Sequence, residues 1–189
     1  MDITCKSSWD LWVTLPNKNT ITLLGVTPNG INIKTSLKTT KKYMAIAAVT
    51  TQTIAVGYTN SLGIDLIDLS GNILYQLSST LNPFSMVTTA DGYLIMSIVR
   101  DNSIAKLKLE DNSTVFRHKV QQIEKTRGVE FIMDGSFIIG DRDKRTLNLI
   151  SPNGAWVKNL WTHPGVFHMI LWDVTKNGAA VNFICPSKT

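Results

Sequence analysis

The feature that most constrains the fold of this chain is a set of turns that recur every 41 or 42 residues. Each turn lies between two strand-like runs, and its central residue is glycine or asparagine. The members are Gly30 in "TPNG", Gly71 in "LSGN", Asn112 in "EDNS" and Gly154 in "SPNG". Asn112 fits the series because asparagine tolerates the left-handed conformation that such turns require. A fixed period of this length indicates an array of one supersecondary unit.

Two further series of turns run in step with the first. One contains Asp-Gly or Asn-Gly pairs, which are strong hairpin signals between β-rich segments. Its glycines are Gly92, Gly135 and Gly178. The other series consists of polar turns at Asn19, Asn60, Asp101 and Asp143. Each unit therefore reads as four strands joined by an Asp-Gly turn, a polar turn and an Asn-Gly turn.

The strand-like runs alternate in polarity and show no helical stripe. Leu107 and Leu109 flank Lys108, and Leu147 and Leu149 flank Asn148, so we expect one buried face in each run. Four antiparallel strands that repeat at about 42 residues are typical of a β-propeller blade. The predicted fold class is thus all-β, a β-propeller of four-stranded antiparallel blades, and a β-sandwich with evenly spaced turns is the alternative.

The repeat divides the single predicted domain, 1–189, into five segments. We expect a partial first blade of three strands in the first segment, three complete blades, and a truncated last blade. The segments are 1–42, 43–82, 83–124, 125–165 and 166–189. The propeller is therefore predicted to be incomplete, with about four to four and a half blades.

Three stretches, 7–31, 82–116 and 125–161, resemble the NHL-type propellers of tripartite-motif ubiquitin ligases, notably the tripartite-motif 2/3-like proteins of molluscs. In "TADGYLIMSIVRDN" and "IMDGSFIIGDRDKR" an apolar strand, an Asp-Gly turn, a second strand and a polar turn follow in the family's order. The resemblance implies a six-bladed relative and a substrate-recognition module without the RING and B-box segments. The partial propeller can stay an open arc, close as a four-bladed ring, or be completed by a second chain. We favour the open arc, whose unpaired edges would permit self-association.

Catalytic and metal-binding patterns do not emerge from the residues. The chain has no nucleophile elbow, phosphate-binding loop or dinucleotide fingerprint. His163 and His168 lie on a predicted loop, while Asp65 and Asp68 lie on a predicted strand whose end Asp68 marks. We therefore expect no enzyme activity, no cofactor and no metal. Cys5 and Cys185 are predicted to be free thiols, although a disulfide between them stays an alternative.

Composition limits the location and the partners of the chain. The longest apolar run, "YLIMSIV", is far shorter than the roughly 20 residues that span a bilayer. The first ten residues contain no apolar segment, so we expect no secretory signal, no membrane association and a cytoplasmic protein. The net charge of +5 permits an acidic partner without requiring one.

The resemblance implies that one rim of the propeller carries the loop after each second strand together with the connections between blades. Basic residues are frequent in these segments. The predicted binding rim comprises Lys18, Lys41, Lys42, Tyr58, Asn60, Arg100, Asp101, Arg117, Lys119, Arg127, Arg142, Lys144 and Arg145. A partner protein is the expected ligand, and single-stranded RNA is the alternative because a positive rim attracts phosphate. A fragment without independent function is the remaining alternative. Most of the five tryptophans are expected in the core, and Trp161 is the weakest case because "LWTHPG" leads out of a strand.

Overall fold

The computed structural model contains four separate four-stranded antiparallel sheets that follow one another along the chain. It describes residues 2–7, 10–58, 61–78, 80–98, 100–132, 134–162, 167–169 and 184–186. For 5–7, 167–169 and 184–186 it describes the backbone alone. The predictions for Asn60, His163 and Gly178, and for two of the five tryptophans, Trp9 and Trp172, concern residues outside these ranges. The same holds for the side chains of Cys5, His168 and Cys185.

Each sheet is one consecutive run of strands paired with its neighbours in sequence. The first sheet contains β1 (Ile3–Ser7), β2 (Asp10–Leu15), β3 (Thr20–Thr27) and β4 (Gly30–Lys38). The second contains β5 (Tyr43–Ala48), β6 (Thr53–Tyr58), β7 (Ile64–Asp68) and β8 (Ile73–Ser78). The third contains β9 (Pro83–Thr88), β10 (Tyr93–Ile98), β11 (Ser103–Lys108) and β12 (Thr114–Lys119). The fourth contains β13 (Thr126–Phe131), β14 (Phe137–Asp141), β15 (Thr146–Ile150) and β16 (Trp156–Thr162). Two short strands, β17 (Phe167–Met169) and β18 (Ile184–Pro186), pair with each other.

The sheets are the blades of a β-propeller, as the repeat predicted. The first strands of successive blades pack side by side at the centre, β1 against β5, β5 against β9 and β9 against β13. The fourth strands lie at the periphery, where most of their residues are exposed. The described helical structure is a single 3-10 turn, Pro16–Lys18. None of the described segments forms a helix that is long and apolar enough to span a membrane.

Three buried clusters fill the three interfaces between consecutive blades. Trp12 and Ile21 pack against Ile46 and Val56 between the first two blades. The cluster between the second and third blades includes Leu66, Met86 and Leu94. The cluster between the third and fourth includes Ile95, Val129 and Phe137. Adjacent residues such as Leu94 and Ile95 are both buried because the third blade is covered on both faces.

The turns adopt the backbone conformations that their residues predicted. Asn19, Asn102 and Asn112 have φ angles of 49°, 55° and 60°, which is the left-handed region. Gly92 and Gly135, in the Asp-Gly turns, have φ angles of 82° and 89°. The repeat of turns was therefore a correct guide to the strand ends that flank these turns.

Two expectations about strands were wrong. The segment 1–42 forms a complete blade of four strands rather than three, because β1 (Ile3–Ser7) pairs with β2 from Ile3↔Val13 onward. In the fourth blade, Asn148 is buried and Leu147 and Leu149 are half-buried, the reverse of the expected pattern. Asn148 is accommodated there because its side-chain amide donates to Thr146 Oγ1 at 2.8 Å and its carbonyl accepts from Trp156 Nε1 at 3.1 Å.

Asp2 connects three blades near the centre. Its carboxylate accepts hydrogen bonds from the Ile46 amide at 3.0 Å and from Ser85 Oγ at 3.2 Å. Ser85 Oγ in turn accepts from the Val129 amide, at 3.4 Å. Burial raises the pKa of Asp2 to about 7, although these hydrogen bonds act to lower it. The centre of the propeller thus contains a polar contact that spans all four blades.

Candidate binding surface

The two ends of the propeller differ in charge. Because successive strands run in opposite directions, the loop after the second strand of each blade lies at the same end as the connections between blades. We call this the basic end. It comprises the described residues of 16–19, 39–42, 61–63, 80–82, 100–102, 120–125 and 142–145, with the adjoining strand termini. The acidic end comprises the hairpin turns at the opposite side.

Exposed cations dominate the basic end. They are Lys18, Lys38, Lys42, Arg100, Arg117, Lys119, Arg142 and Lys144. The exposed carboxylates in the described part of this end are Asp101, Glu124 and Asp143. At the acidic end the hairpin turns carry Asp68, Asp91, Glu110, Asp111 and Asp134. The surplus of positive charge is therefore concentrated on one face of the molecule.

A buried carboxylate organises the second blade at the basic end. Asp65 on β7 is 1% exposed and accepts hydrogen bonds from Tyr58 Oη at 2.6 Å and Tyr43 Oη at 2.8 Å. Lys41 Nζ lies 3.0 Å from Asp65 Oδ2 and 2.5 Å from Tyr58 Oη. The two predicted rim residues in this cluster, Lys41 and Tyr58, are thus in contact, but Tyr58 is buried rather than displayed.

The protonation states of this cluster favour a structural role. Burial and the hydrogen bond to Asp65 raise the pKa of Tyr43 and of Tyr58 above the ordinary value. Burial alone would lower the pKa of Lys41, but its hydrogen bonds to Tyr58 and Asp65 raise it. All three groups therefore keep their protons at neutral pH, and both Asp65 oxygens are occupied as acceptors. The cluster offers no activated nucleophile or free base.

A second buried carboxylate, Asp141, holds two loops of the fourth blade in place at the same end. Asp141 is 2% exposed and accepts four backbone hydrogen bonds. The donors are the amides of Glu124 at 2.8 Å, Asp143 at 3.0 Å, Lys125 at 3.2 Å and Lys144 at 3.3 Å. These bonds hold the blade connection and the loop that displays Arg142 and Lys144. Asp143 lies in the polar turn that the sequence predicted, and Asp141, the last residue of β14, fixes that turn.

A cleft of about 300 Å³ lies at the basic end between the second and third blades. Its lining residues are Leu62, Thr80, Asn82, Ile98, Arg100, Asp101 and Arg117. Arg117 donates to Asp101 Oδ2 at 2.5 Å and to Ser103 Oγ at 3.3 Å. Burial would raise the pKa of Asp101, but the hydrogen bonds from Ser103 and Arg117 outweigh it and lower this pKa. Three predicted rim residues, Arg100, Asp101 and Arg117, therefore meet in one cleft.

The remaining predicted rim residues are dispersed. Lys119 borders a shallow surface with His118 and Trp156 between the third and fourth blades. Arg127 lies inward, with its guanidinium carbon 4.5 Å from the centre of the Phe84 ring, and burial lowers its pKa. Lys18 and Lys42 lie on two separate loops around the same end, and Arg142, Lys144 and Arg145 share a third loop, 142–145. Trp12 is buried as expected, whereas Trp156 and Trp161 are 37% and 42% exposed on the outermost strand β16.

The sequence prediction missed the parts of this end that only packing creates. Asp65 was assigned to a strand without a role. The available signal was an aspartate near the start of a strand, with three polar residues, Lys41, Tyr43 and Tyr58, nearby in the sequence. Within the described ranges, no three His, Cys, Asp or Glu side chains form a group that could hold a metal ion.

No protein-family model matches this chain. No curated protein matches it either. Its fold is similar to many solved structures. One is the WD40 β-propeller domain of Doa1, with a TM-score of 0.64 and 16% identity over 90% of this chain and 57% of that one. Another is virginiamycin B lyase from Staphylococcus aureus, with a TM-score of 0.66 and 15% identity over 91% of this chain and 59% of that one.

A third similar structure is Kuenenia stuttgartiensis hydrazine synthase, with a TM-score of 0.65 and 13% identity over 84% of this chain and 47% of that one. This chain thus spans between 47% and 60% of the length of the solved structures that it matches. Identities this low establish the fold alone, since β-propellers carry many unrelated functions. The class of protein is a β-propeller. The more specific resemblance to tripartite-motif propellers stays a prediction.

Proposed function

We propose that this protein is a non-catalytic interaction module that binds an acidic segment of a partner protein at its basic end. The observation that carries the proposal is the separation of charge between the two ends. Eight exposed cations and three exposed carboxylates occur in the described part of one end, while the turns of the other end are rich in carboxylates. Such a field steers an acidic partner to one face and repels it from the other.

The absence of catalysis is part of the proposal. The Lys41–Tyr58–Asp65 cluster holds its protons, and Asp141 is saturated by backbone amides. Two of the similar propellers are named as a lyase and a synthase, and another is named as a WD40 domain. The charge pattern of this chain favours recognition, which a WD40-like propeller performs in general. The tripartite-motif ancestry and the cytoplasmic location of this protein stay predictions from its sequence.

Single-stranded RNA is the second candidate ligand, because clustered cations also attract phosphate. Binding of single strands usually adds stacking of bases on exposed aromatic rings. At the basic end, Tyr43 and Tyr58 are buried and Phe84 is covered by Arg127. Trp161 is exposed near this end, on the peripheral strand. The buried tyrosines at this end favour an acidic protein segment over RNA, while Trp161 is a described side chain on which a base could stack.

Two charge-reversed variants test the proposal. One carries Lys18→Glu and Arg142→Glu at the basic end, and its matched control carries Asp91→Lys and Glu110→Lys at the acidic end. A fluorescein-labelled deca-glutamate peptide and a labelled single-stranded decauridine RNA are the probes, measured by anisotropy at 50 and 300 mM salt. We expect binding of the peptide that weakens about tenfold or more in the basic-end variant and not in the control.

Three outcomes would contradict the proposal. Equal effects of the two variants would show that the ends are equivalent. Binding of the peptide that does not change with salt would exclude an electrostatic contact. Preference for the RNA at both salt concentrations would favour the second candidate.

A further inference from the structure

The cleft between the second and third blades differs from the rest of the basic end because it combines cations with an apolar surface. Leu62 is 41% exposed and Ile98 forms a buried wall of the same cleft. Asn82 and Thr80 add polar groups that can hydrogen-bond a backbone. Elsewhere on this end, Lys18 and Arg142 are exposed on loops, and Lys144 donates to the Gln122 carbonyl at 2.8 Å.

The two arginines of the cleft are not equivalent. Arg117 is held in place, since it donates to both Asp101 and Ser103. Arg100 is exposed, and within the described part of the chain no carboxylate lies within ion-pairing distance of it. A guanidinium carries five donors in a planar fork that matches a carboxylate. Arg117 is thus oriented by its hydrogen bonds, whereas Arg100 forms no ion pair with a described carboxylate.

The walls of the cleft are fixed by backbone contacts. The Gly63 amide donates to the Leu81 carbonyl at 2.7 Å, and the Tyr58 amide donates to the Gly63 carbonyl at 3.2 Å. Gly63 has a φ angle of 143°, and a Cβ at this position would lie 2.2 Å from Tyr58 Cε2. The Asp65 cluster therefore holds the loop that presents Leu62, so the cleft is formed before any ligand arrives. A preformed site loses less entropy on binding.

We infer that this cleft binds an acidic side chain that is followed or preceded by an apolar one, in an extended segment of a partner protein. The carboxylate pairs with Arg100, with Arg117 as the supporting cation, and the apolar side chain contacts Leu62. This inference rests on the proposed function and adds to it a position and a ligand pattern. RNA fits the cleft less well, because the apolar wall would face a phosphate or a ribose.

The test compares two labelled decapeptides of alternating sequence, one of glutamate and leucine and the other of glutamine and leucine. We expect the glutamate–leucine peptide to bind at least tenfold more tightly than the glutamine–leucine peptide and about fivefold more tightly than deca-glutamate. Arg100→Gln should weaken the glutamate–leucine peptide about tenfold, and Leu62→Ser about threefold. Arg142→Gln, an exposed arginine of the same end outside the cleft, is the comparison variant and should weaken this peptide less than Arg100→Gln does. Lys158→Gln is the control, an exposed lysine on β16 outside the basic end, and should change this affinity less than twofold.

The outcomes separate the two claims. If deca-glutamate binds and Arg100→Gln and Arg142→Gln weaken the glutamate–leucine peptide equally, the cleft inference fails and the proposed function stands. If neither peptide binds, both fail. Preferential binding of decauridine that depends on Arg100 would also overturn the inference. Circular dichroism and urea unfolding of Arg100→Gln confirm that the fold is retained, which is expected because Arg100 is an exposed loop residue.

Discussion

The basic and acidic ends of this propeller contain similar numbers of carboxylates but use them differently. At the basic end, Asp65 and Asp141 are buried and hold loops in place. At the acidic end, Asp91, Glu110 and Asp134 lie in exposed turns. At the basic end Arg117 pairs with Asp101 and Lys144 lies 3.6 Å from Glu124, whereas Lys18, Arg100 and Arg142 form no ion pair among the described residues. The surface charge of a face therefore depends on which of its charged groups are buried, as much as on its composition.

The largest expected difference between the ends concerns stability. Asp65→Ala removes the acceptor for two phenols and for Lys41, and leaves these groups without their partner in a buried site. We expect it to lower the free energy of unfolding by about 3–4 kcal/mol. The matched change at the acidic end, Asp91→Ala, should cost no more than about 0.5 kcal/mol. Urea unfolding followed by circular dichroism measures both, and equal losses would remove the distinction between the two kinds of carboxylate.

Two glycines, one at each end, allow the stability of the two ends to be compared by adding a Cβ. Gly63 at the basic end and Gly30 at the acidic end have similar φ angles, 143° and 137°. A Cβ at Gly30 would meet no atom within 4 Å, whereas a Cβ at Gly63 would lie 2.2 Å from Tyr58 Cε2. We expect Gly30→Ala to cost about 1 kcal/mol through backbone strain alone, and Gly63→Ala to cost about 3 kcal/mol. Thermal or urea unfolding distinguishes them, and a smaller loss for Gly63→Ala would show that the loop relaxes freely.

Asp2 provides a prediction for pH. Its pKa rises from the ordinary value of 3.8 to about 7 in the folded chain, so the folded state favours the protonated carboxyl. The stability that this group contributes is fully present below pH 3.8 and is lost as the pH rises through 7. The Asp2→Asn variant should therefore gain about 1–2 kcal/mol relative to the unsubstituted protein between pH 5 and pH 8. Urea midpoints at the two values test this, and a constant difference would show that Asp2 does not titrate in this range.

The smallest expected effect is at an acidic-end turn. Asn112 has a φ angle of 60° and donates no side-chain hydrogen bond among the contacts of the described residues. Replacing it by glycine, as in the other three members of its series, should change the free energy of unfolding by no more than about 0.5 kcal/mol. Calorimetric midpoints measure this, and a loss above 1 kcal/mol would mean that Asn112 makes contacts beyond its turn.

The fold was predictable because it depends on local chemistry that repeats. Turn residues with restricted conformations recur in register, and they specify four strands per unit without knowledge of packing. The first strand, Ile3–Ser7, was missed because no turn of a recognised series precedes it. The burial of Asn148 was missed because alternation indicates two faces but does not tell which one meets the next blade.

The candidate site was predictable only in outline. Loop positions at one end follow from strand direction, so most of the predicted rim cations lie at the same end of the propeller. The roles of Tyr58 and Arg127 could not be read from sequence, because each is withdrawn from the surface by a partner in another segment, Asp65 and Phe84 respectively. The cleft around Arg100 arises from four separate segments, and no local pattern encodes their meeting.

Binding of an acidic partner at the basic end is tested most directly by nuclear magnetic resonance, which maps where an acidic peptide binds on the isotopically labelled protein. Titration with deca-glutamate should shift the amide signals of Lys18, Lys42, Arg100 and Lys144 and leave those of Asp91, Glu110 and Asp134 unchanged. Shifts at the acidic end, or shifts spread evenly over both ends, would contradict the claim that this propeller presents one face to an acidic partner.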